Sequence, residues 1–136
     1  MKQAIIDIGS NSIRLTLYET QGQNFNILFR EKIMAGLAGY VEDRKLSAEG
    51  IECACAGLLT FRGILQTLEI EHIRVFATAS LRNISNTEQA LSVIRAATGY
   101  SVEVISGEEE ALLGYAGAMR ELHLSGGAFL DIGGAS

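Results

Sequence analysis

Two short segments of the sequence combine small residues with a carboxylate in a pattern that suits phosphate chemistry. Residues 4–12 read AIIDIGSNS and residues 128–136 read AFLDIGGAS, so alanine, aspartate, isoleucine, glycine and the final serine recur at the same spacing. Each copy is an apolar run that ends in aspartate and continues into a loop of small residues. Glycine permits a positive φ and a close approach of the backbone, and successive backbone N–H groups can then surround an anion. The pattern therefore predicts two phosphate-binding loops that face one cleft.

The loops supply hydrogen-bond donors, whereas the aspartates before them need a different role. Backbone N–H groups, hydroxyls and one amide are the predicted phosphate ligands, at Gly9, Ser10, Asn11, Ser12, Gly133, Gly134 and Ser136. Asp7 and Asp131 cannot hold phosphate directly because like charges repel. A carboxylate beside a phosphate site can instead bind Mg²⁺, often through water, or position an attacking water. Two unrelated strand–turn segments are the alternative, and the second copy of the pattern argues against it.

The loops need a scaffold, and the hydrophobic pattern predicts a mixed sheet covered by helices. Three strand-like segments with short connections come first and predict an antiparallel meander. In the second of them, Ile13, Leu15 and Leu17 alternate onto one face. Helix-like segments with capping residues then alternate with strands, and Gly99 suits the end of the second helix. The polar, glycine-bearing segment 36–45 is predicted to be a loop. The predicted order is βββαβαβα plus a final strand, with strands over residues 3–8, 12–19, 25–33, 73–79, 101–105 and 128–132, and helices that begin at Ser47, residues 85–88 and residues 106–109.

Composition and charge exclude several classes of function. The chain has 136 residues, 48% of them hydrophobic, which is the composition of one globular domain. Its net charge of −5 and the lack of a basic stripe argue against a nucleic-acid partner or an anionic membrane surface. No apolar run approaches the ~20 residues of a membrane-spanning helix, and no secretory signal is seen before the first strand. We therefore predict a cytoplasmic protein without nucleic-acid or membrane partners.

The cysteines and histidines lack the spacing of metal ligands. Cys53 and Cys55 lie two residues apart in a helix-like segment, so they point to different faces and no disulfide between them is expected. His72 and His123 are distant from each other and from the cysteines along the chain. Small buried thiols in a reducing cytosol are the expectation.

Three motifs, in this order, resemble those of the exopolyphosphatase / guanosine pentaphosphate phosphatase family. They are DIGSNSIRL at residues 7–15, ISGEEEA at residues 105–111 and DIGGAS at residues 131–136. The resemblance covers essentially the whole chain. It implies an α/β fold of the ribonuclease H-like (actin-like ATPase) type, with a mixed five-stranded sheet, within the acetate-kinase, sugar-kinase, Hsp70 and actin superfamily. It also implies that residues 1–124 are the first actin-like domain, and residues 125–136 the opening strand and phosphate loop of a second domain otherwise absent.

The resemblance further implies a reaction and the residues that perform it. Proteins of this family release terminal orthophosphate from inorganic polyphosphate or guanosine pentaphosphate with Mg²⁺ or another divalent cation. A polyanionic phosphate substrate and a homodimeric full-length protein are therefore expected. The family's catalytic glutamate matches Glu110, and a family arginine after the Ala-Thr-x-x-Leu segment matches Arg82. Ala135 departs from the family's third loop glycine, and residues 37–39 lack its acidic–glycine pairing, which bears on substrate preference more than on reaction class.

Each of these assignments has an alternative. Acidic residues are favoured in the first turn of a helix, so Glu110 could be structural, and Arg82 could form a surface ion pair. An ATP-dependent kinase or ATPase of the same superfamily would use the loops for nucleotide phosphates, whereas a non-catalytic polyphosphate or nucleotide sensor would bind without releasing phosphate. Because the sequence stops on Ser136, we expect a fragment, with a stable, inactive single lobe that self-associates as a further alternative. The uncovered strand at residues 128–132 is expected to be disordered, paired with another copy or packed back on the first sheet.

Overall fold

The computed structural model describes residues 1–106 and Glu108, and its centre is a mixed β-sheet. The strands in chain order are β1 (Lys2–Ile8), β2 (Ile13–Gln21), β3 (Asn24–Ile33), β4 (Val41–Glu42), β5 (Lys45–Leu46), β6 (His72–Ala77) and β7 (Val102–Val104). Five of them form one sheet in the order β3-β2-β1-β6-β7, and β4 and β5 form a separate hairpin. The predicted α/β class with a mixed five-stranded sheet is confirmed. The helix predicted after residues 106–109 and the strand predicted at 128–132 lie outside the described residues.

Helices connect the strands in the described part of the chain. They are a 3₁₀ helix (Leu37–Tyr40), α1 (Ala48–Thr67), α2 (Ala79–Arg82) and α3 (Thr87–Thr98). As predicted, Ser47 caps α1, and its hydroxyl accepts a hydrogen bond from the Gly50 N–H at 3.1 Å. Gly99, at φ 81°, ends α3 in the left-handed conformation that favours glycine. The sequence therefore marks the start of α1 and the end of α3 correctly.

Alternation along the first two strands buries one face of the sheet. Ile13, Leu15 and Leu17 are all buried, as their spacing predicts, and β2 pairs antiparallel with both β1 and β3. Leu58 and Phe61 of α1 are fully buried in the same core. Each such side chain contributes about 1.5–3 kcal/mol to folding. This packing of α1 on the sheet holds β1 and β2 in place, and the predicted first loop at residues 9–12 connects these two strands.

Three local predictions are wrong. Segment 36–45 is the 3₁₀ helix and most of the β4–β5 hairpin rather than a plain loop, and the strand predicted over 73–79 ends at Ala77. The predicted capping box at residues 85–88 does not form, because α3 has Asn86 as its N-cap residue without a side-chain cap bond. The Asn86 amide instead bonds both backbone groups of Leu46, at 3.0 Å each, and the Ser85 hydroxyl donates to the Arg44 carbonyl. The polar side chains that could have capped α3 therefore bond to backbone groups of the β4–β5 hairpin instead.

The cysteines follow the expectation of buried thiols. Both are free, Cys53 is half-buried with its Sγ 3.7 Å from the Ala35 carbonyl oxygen, and Cys55 is buried. Burial, and to a lesser extent the nearby Glu52 carboxylate, raises the pKa of the Cys55 thiol above its ordinary value. In the part of the chain that the structure describes, no helix is both long and apolar enough to cross a membrane.

Candidate functional site at the carboxyl edge of the sheet

The carboxyl ends of three parallel strands meet at one edge of the sheet. β1 pairs parallel with β6, with Ile8 opposite Ala77, and β6 pairs parallel with β7, with Ala77 opposite Val104. The segments that follow these strands therefore emerge side by side. They are residues 9–12, residues 78–82 and residues 105–106. Ligands of open α/β sheets commonly bind at such an edge.

The first loop, residues 9–12, has three carbonyl groups engaged by the protein, those of Ser10, Asn11 and Ser12. The Gly9 N–H donates to the Ser12 carbonyl at 3.0 Å, which closes the loop. The Asn11 carbonyl accepts from the Gly36 N–H at 2.9 Å, and the Ser10 carbonyl accepts from the Ala38 N–H at 3.0 Å.

The N–H groups of the same loop are oriented differently. Within the described residues, the N–H groups of Ser10, Asn11 and Ser12 donate to no protein acceptor. Asn11 is exposed and Ser10 is half-buried. A loop with three carbonyls bonded to the protein, and with three successive amides that have no acceptor among the described residues, is suited to an anion.

Gly9 does not use the left-handed conformation that glycine permits. It is buried and has no positive φ. The glycine with positive φ beside the loop is Gly36, at φ 61°, which donates the hydrogen bond to Asn11. The sharp turn that supports the loop thus comes from a neighbouring segment, and Gly9 itself provides a buried position without a side chain.

A guanidinium group lies directly beside the loop. Arg14 is exposed on β2, opposite Asp7 of β1, and its Nε donates to the Ser12 hydroxyl oxygen at 3.2 Å. Because a hydroxyl has one hydrogen to donate, this contact uses Ser12 as an acceptor and leaves its O–H bond directed elsewhere. Ser12 and Arg14 together place a donor and a positive charge next to the loop.

The carboxylate predicted to bind metal lies at the same edge. Asp7 is half-buried, one residue before the end of β1, and pairs in register with Arg14 and with Phe76. Among the described residues, no three histidine, cysteine or acidic side chains are grouped closely enough to hold a metal ion. Mg²⁺ commonly retains several waters and uses one or two carboxylates together with substrate phosphates. One carboxylate beside a phosphate loop fits that requirement, and Asp7 is the described residue that would hold the ion.

Arg82 also lies at this edge, although not at the direct junction of a strand and a helix. It is the last residue of the short helix α2, and its Nη1 donates to the Ile105 carbonyl at 3.1 Å. The same segment is fixed to β1, because the Ser80 hydroxyl donates to the Ile8 carbonyl at 2.6 Å. The structure therefore brings Arg82, Asp7 and the first loop together around the ends of β1, β6 and β7.

Sequence reasoning missed two parts of the site. Thr78 and Ser80 are buried hydroxyl residues directly after β6, and only the arginine of their segment had been singled out. Segment 36–38 holds the first loop but had been predicted as an unspecific loop. A signal for the first part was present, since Thr78 and Ser80 belong to the Ala-Thr-x-x-Leu segment from which Arg82 was identified. No local signal indicated that Gly36 and Ala38 would bond to residues 10 and 11.

The remaining predicted site residues lie outside the described residues. They are Glu110, Asp131, Gly133, Gly134 and Ser136. Glu108, which begins the same acidic run as Glu110, is helical and exposed. The roles of all five residues therefore stay predictions.

Comparisons with known proteins bear on the whole chain. A model of the Ppx/GppA phosphatase family matches residues 16–136, a range that begins after the first loop and includes Arg82 and Glu110. The crystal structure of the Aquifex aeolicus member of the Ppx/GppA family superposes with a TM-score of 0.82 at 28% identity, over 90% of this chain and 40% of that chain. An exopolyphosphatase from Cytophaga hutchinsonii ATCC 33406 superposes with a TM-score of 0.77 at 28% identity, over 83% and 36% of the two chains.

A third structure gives the same result. An exopolyphosphatase-like protein is 30% identical with a TM-score of 0.78, over 86% of this chain and 36% of that chain. The chain therefore spans no more than 40% of the length of these three solved relatives. The family match extends over most of the sequence, and the described fold agrees with it. The chain belongs to the Ppx/GppA phosphatase family.

Proposed function

We propose that this chain is the N-terminal lobe of a phosphohydrolase that releases terminal orthophosphate from inorganic polyphosphate or guanosine pentaphosphate. The observation that carries the proposal is the first loop, whose N–H groups at Ser10, Asn11 and Ser12 have no acceptor in the described part of the chain. Phosphate oxygens are strong acceptors for such groups. Membership of a phosphatase family supports hydrolysis as the reaction.

The proposed mechanism is in-line attack of water on the terminal phosphoryl group. The first loop holds phosphate oxygens through its N–H groups, and the second loop, at Gly133, Gly134 and Ser136, has the same role. Glu110 accepts a proton from the attacking water. Arg82 stabilises the negative charge that develops on the phosphoryl oxygens, since its guanidinium is fixed at the sheet edge by the Ile105 carbonyl.

A divalent cation completes the proposed site. Asp7 and Asp131 are the residues that would hold Mg²⁺, which supplies neutralisation of phosphate charge when bound. One of the similar solved structures is an exopolyphosphatase, which supports polyphosphate as a substrate. A cytoplasmic location and a homodimer of the full-length protein are further predictions of the proposal.

The test is orthophosphate release with Mg²⁺ from long-chain polyphosphate and from guanosine pentaphosphate. The proteins are the 136-residue chain, the chain extended past Ser136 to its natural terminus, and the extended protein with Glu110→Gln. We expect release by the extended protein only, because the single lobe lacks most of the second domain. Loss of a general base should lower kcat by about 10²- to 10⁴-fold.

Glu108→Gln is the matched control, since Glu108 is an exposed glutamate of the same acidic run. It should leave kcat unchanged. Ligand binding by the extended protein without phosphate release from either substrate would favour a sensor. Nucleotide-dependent phosphate transfer to an acceptor would favour a kinase. Equal activity of Glu110→Gln and wild type would remove Glu110 from the mechanism.

A further inference from the structure

Thr78 lies beside the first loop through its position after β6. Ala77 pairs in register with Ile8, so the next residues, Thr78 and Gly9, are neighbours where the two parallel strands end. The Thr78 N–H donates to the Ile8 carbonyl at 3.4 Å, and the Ser80 hydroxyl donates to the same carbonyl at 2.6 Å. The backbone at Thr78 is therefore fixed against the end of β1.

The hydroxyl of Thr78 is buried without a hydrogen-bond partner in the part of the chain that the structure describes. The residue is 2% exposed, and no described group bonds to its Oγ1. Two other buried hydroxyls are satisfied: Ser80 donates to Ile8, and Thr98 donates to the Ile94 carbonyl at 2.7 Å. Leaving a buried polar group unpaired is costly, and such a group in a native protein requires an explanation.

Helix capping does not explain this threonine. Thr78 is the N-cap residue of α2, but its side chain makes no cap bond. The Leu81 N–H, which could donate to a capping hydroxyl, donates to the Thr78 carbonyl instead, at 3.2 Å. Valine has the same shape as threonine without the hydroxyl, so packing alone would not need an oxygen at this position.

We propose that the Thr78 hydroxyl donates a hydrogen bond to an oxygen of the terminal phosphoryl group bound at the first loop. This inference rests on the proposed function and adds a substrate-contacting residue to it. The acceptor arrives with the ligand, because Oγ1 is shielded from bulk solvent. Rotation about the Cα–Cβ bond moves Oγ1 between staggered positions, which allows it to meet a phosphoryl oxygen that enters beside Gly9. A hydrogen bond formed in such a shielded position is stronger than one at the surface.

The test compares Thr78→Val and Thr78→Ser in the protein extended to its natural terminus. We measure kcat/KM for phosphate release, the dissociation constant of tripolyphosphate by calorimetry, and the urea midpoint of unfolding. Thr78→Val should lower kcat/KM by about 10- to 100-fold, the range for a lost hydrogen bond to a charged group, while its midpoint stays equal to or above that of wild type. Thr78→Ser should keep kcat/KM within a few-fold of wild type.

Thr98→Val is the matched control, because that threonine is equally buried but bonded within α3. It should lower the midpoint and leave kcat/KM unchanged. Wild-type kcat/KM and tripolyphosphate affinity in Thr78→Val would overturn the inference, as would equal losses of activity and midpoint in both Thr78 variants. If wild type releases no phosphate, the proposed function fails. In that case, weaker binding of tripolyphosphate by Thr78→Val than by wild type would still support the contact.

Discussion

Adding one methyl group at Gly50 should disturb the contact between α1 and the 3₁₀ helix that supports the first loop. Gly50 lies in the first turn of α1, and a Cβ there would come within 2.6 Å of both Leu46 Cδ1 and Tyr40 Cβ. The Leu46 methyl can rotate away, but Tyr40 Cβ is attached directly to the backbone of the 3₁₀ helix. The methyl group of Gly50→Ala therefore has to displace either α1 or the 3₁₀ helix.

The magnitude follows from two opposing effects. Alanine is more favourable than glycine within a helix by about 0.5–1 kcal/mol, whereas overpacking costs about 1–3 kcal/mol. Gly50→Ala should therefore destabilise the fold by about 1–2 kcal/mol. Gly63→Ala, in the same helix, should stabilise it by about 0.5–1 kcal/mol, because no atom of the described residues lies within 4 Å of the position that its Cβ would occupy.

Urea unfolding followed by circular dichroism measures both variants. With a denaturant dependence of about 1–3 kcal/mol per molar, their midpoints should differ by about 1 M. Hydrogen exchange should also show faster exchange of the Gly36 and Ala38 amides in Gly50→Ala, because these groups bond to the first loop from the 3₁₀ segment. The reasoning is refuted if Gly50→Ala is as stable as Gly63→Ala. It is also refuted if Gly50→Ala is less stable than wild type but its Gly36 and Ala38 amides exchange as slowly as in wild type.

Two further perturbations test other parts of the fold. Asn86→Ala should lower the free energy of unfolding by about 1–3 kcal/mol, since it removes the hydrogen-bond partner of both backbone groups of Leu46. Urea unfolding measures this loss. The control is Asn83→Ala, which changes an exposed neighbour and should have no comparable effect. Because folding raises the pKa of the Cys55 thiol, the unfolded chain loses the thiol proton at a lower pH than the folded chain does. The free energy of unfolding should therefore fall as pH rises above the thiol's ordinary pKa. Unfolding midpoints from neutral to alkaline pH measure this decline, and an unchanged decline in Cys55→Ala would contradict it.

The sequence predicted the parts of the fold that depend on local pattern. Alternating Ile13, Leu15 and Leu17 identified a half-buried strand, and Ser47 and Gly99 marked helix ends, because each acts through its own backbone or its immediate neighbours. The capping box at residues 85–88 has equally good local form, but it failed. Its polar groups bond to the backbone of Arg44 and Leu46, and sequence pattern contains no information on such a distant competitor.

In the candidate site too, the features that depend on local pattern were predictable, and those that depend on distant contacts were not. The pattern of residues 4–12 located the first loop, and the motif after β6 located Arg82, because both lie where a strand ends. The conformation of Gly9 was not predictable, since the turn that supports the loop uses Gly36 instead. The unpaired hydroxyl of Thr78 was also invisible in the sequence, because threonine after a strand more often bonds locally. Pairing between segments distant in sequence decides these features.

The central position of β1 has a consequence for how the chain folds. β1 is made first during synthesis and can pair at once with β2, but its other partner, β6, arrives much later, since Gln3 pairs with His72. Pairing between such distant segments is slow because the closure of a long loop precedes its contacts. Until α1 and β6 have been made, one edge of the β1–β2–β3 meander stays open to pairing with another chain. The nascent meander therefore carries a risk of pairing with another chain that lasts until β6 has been made.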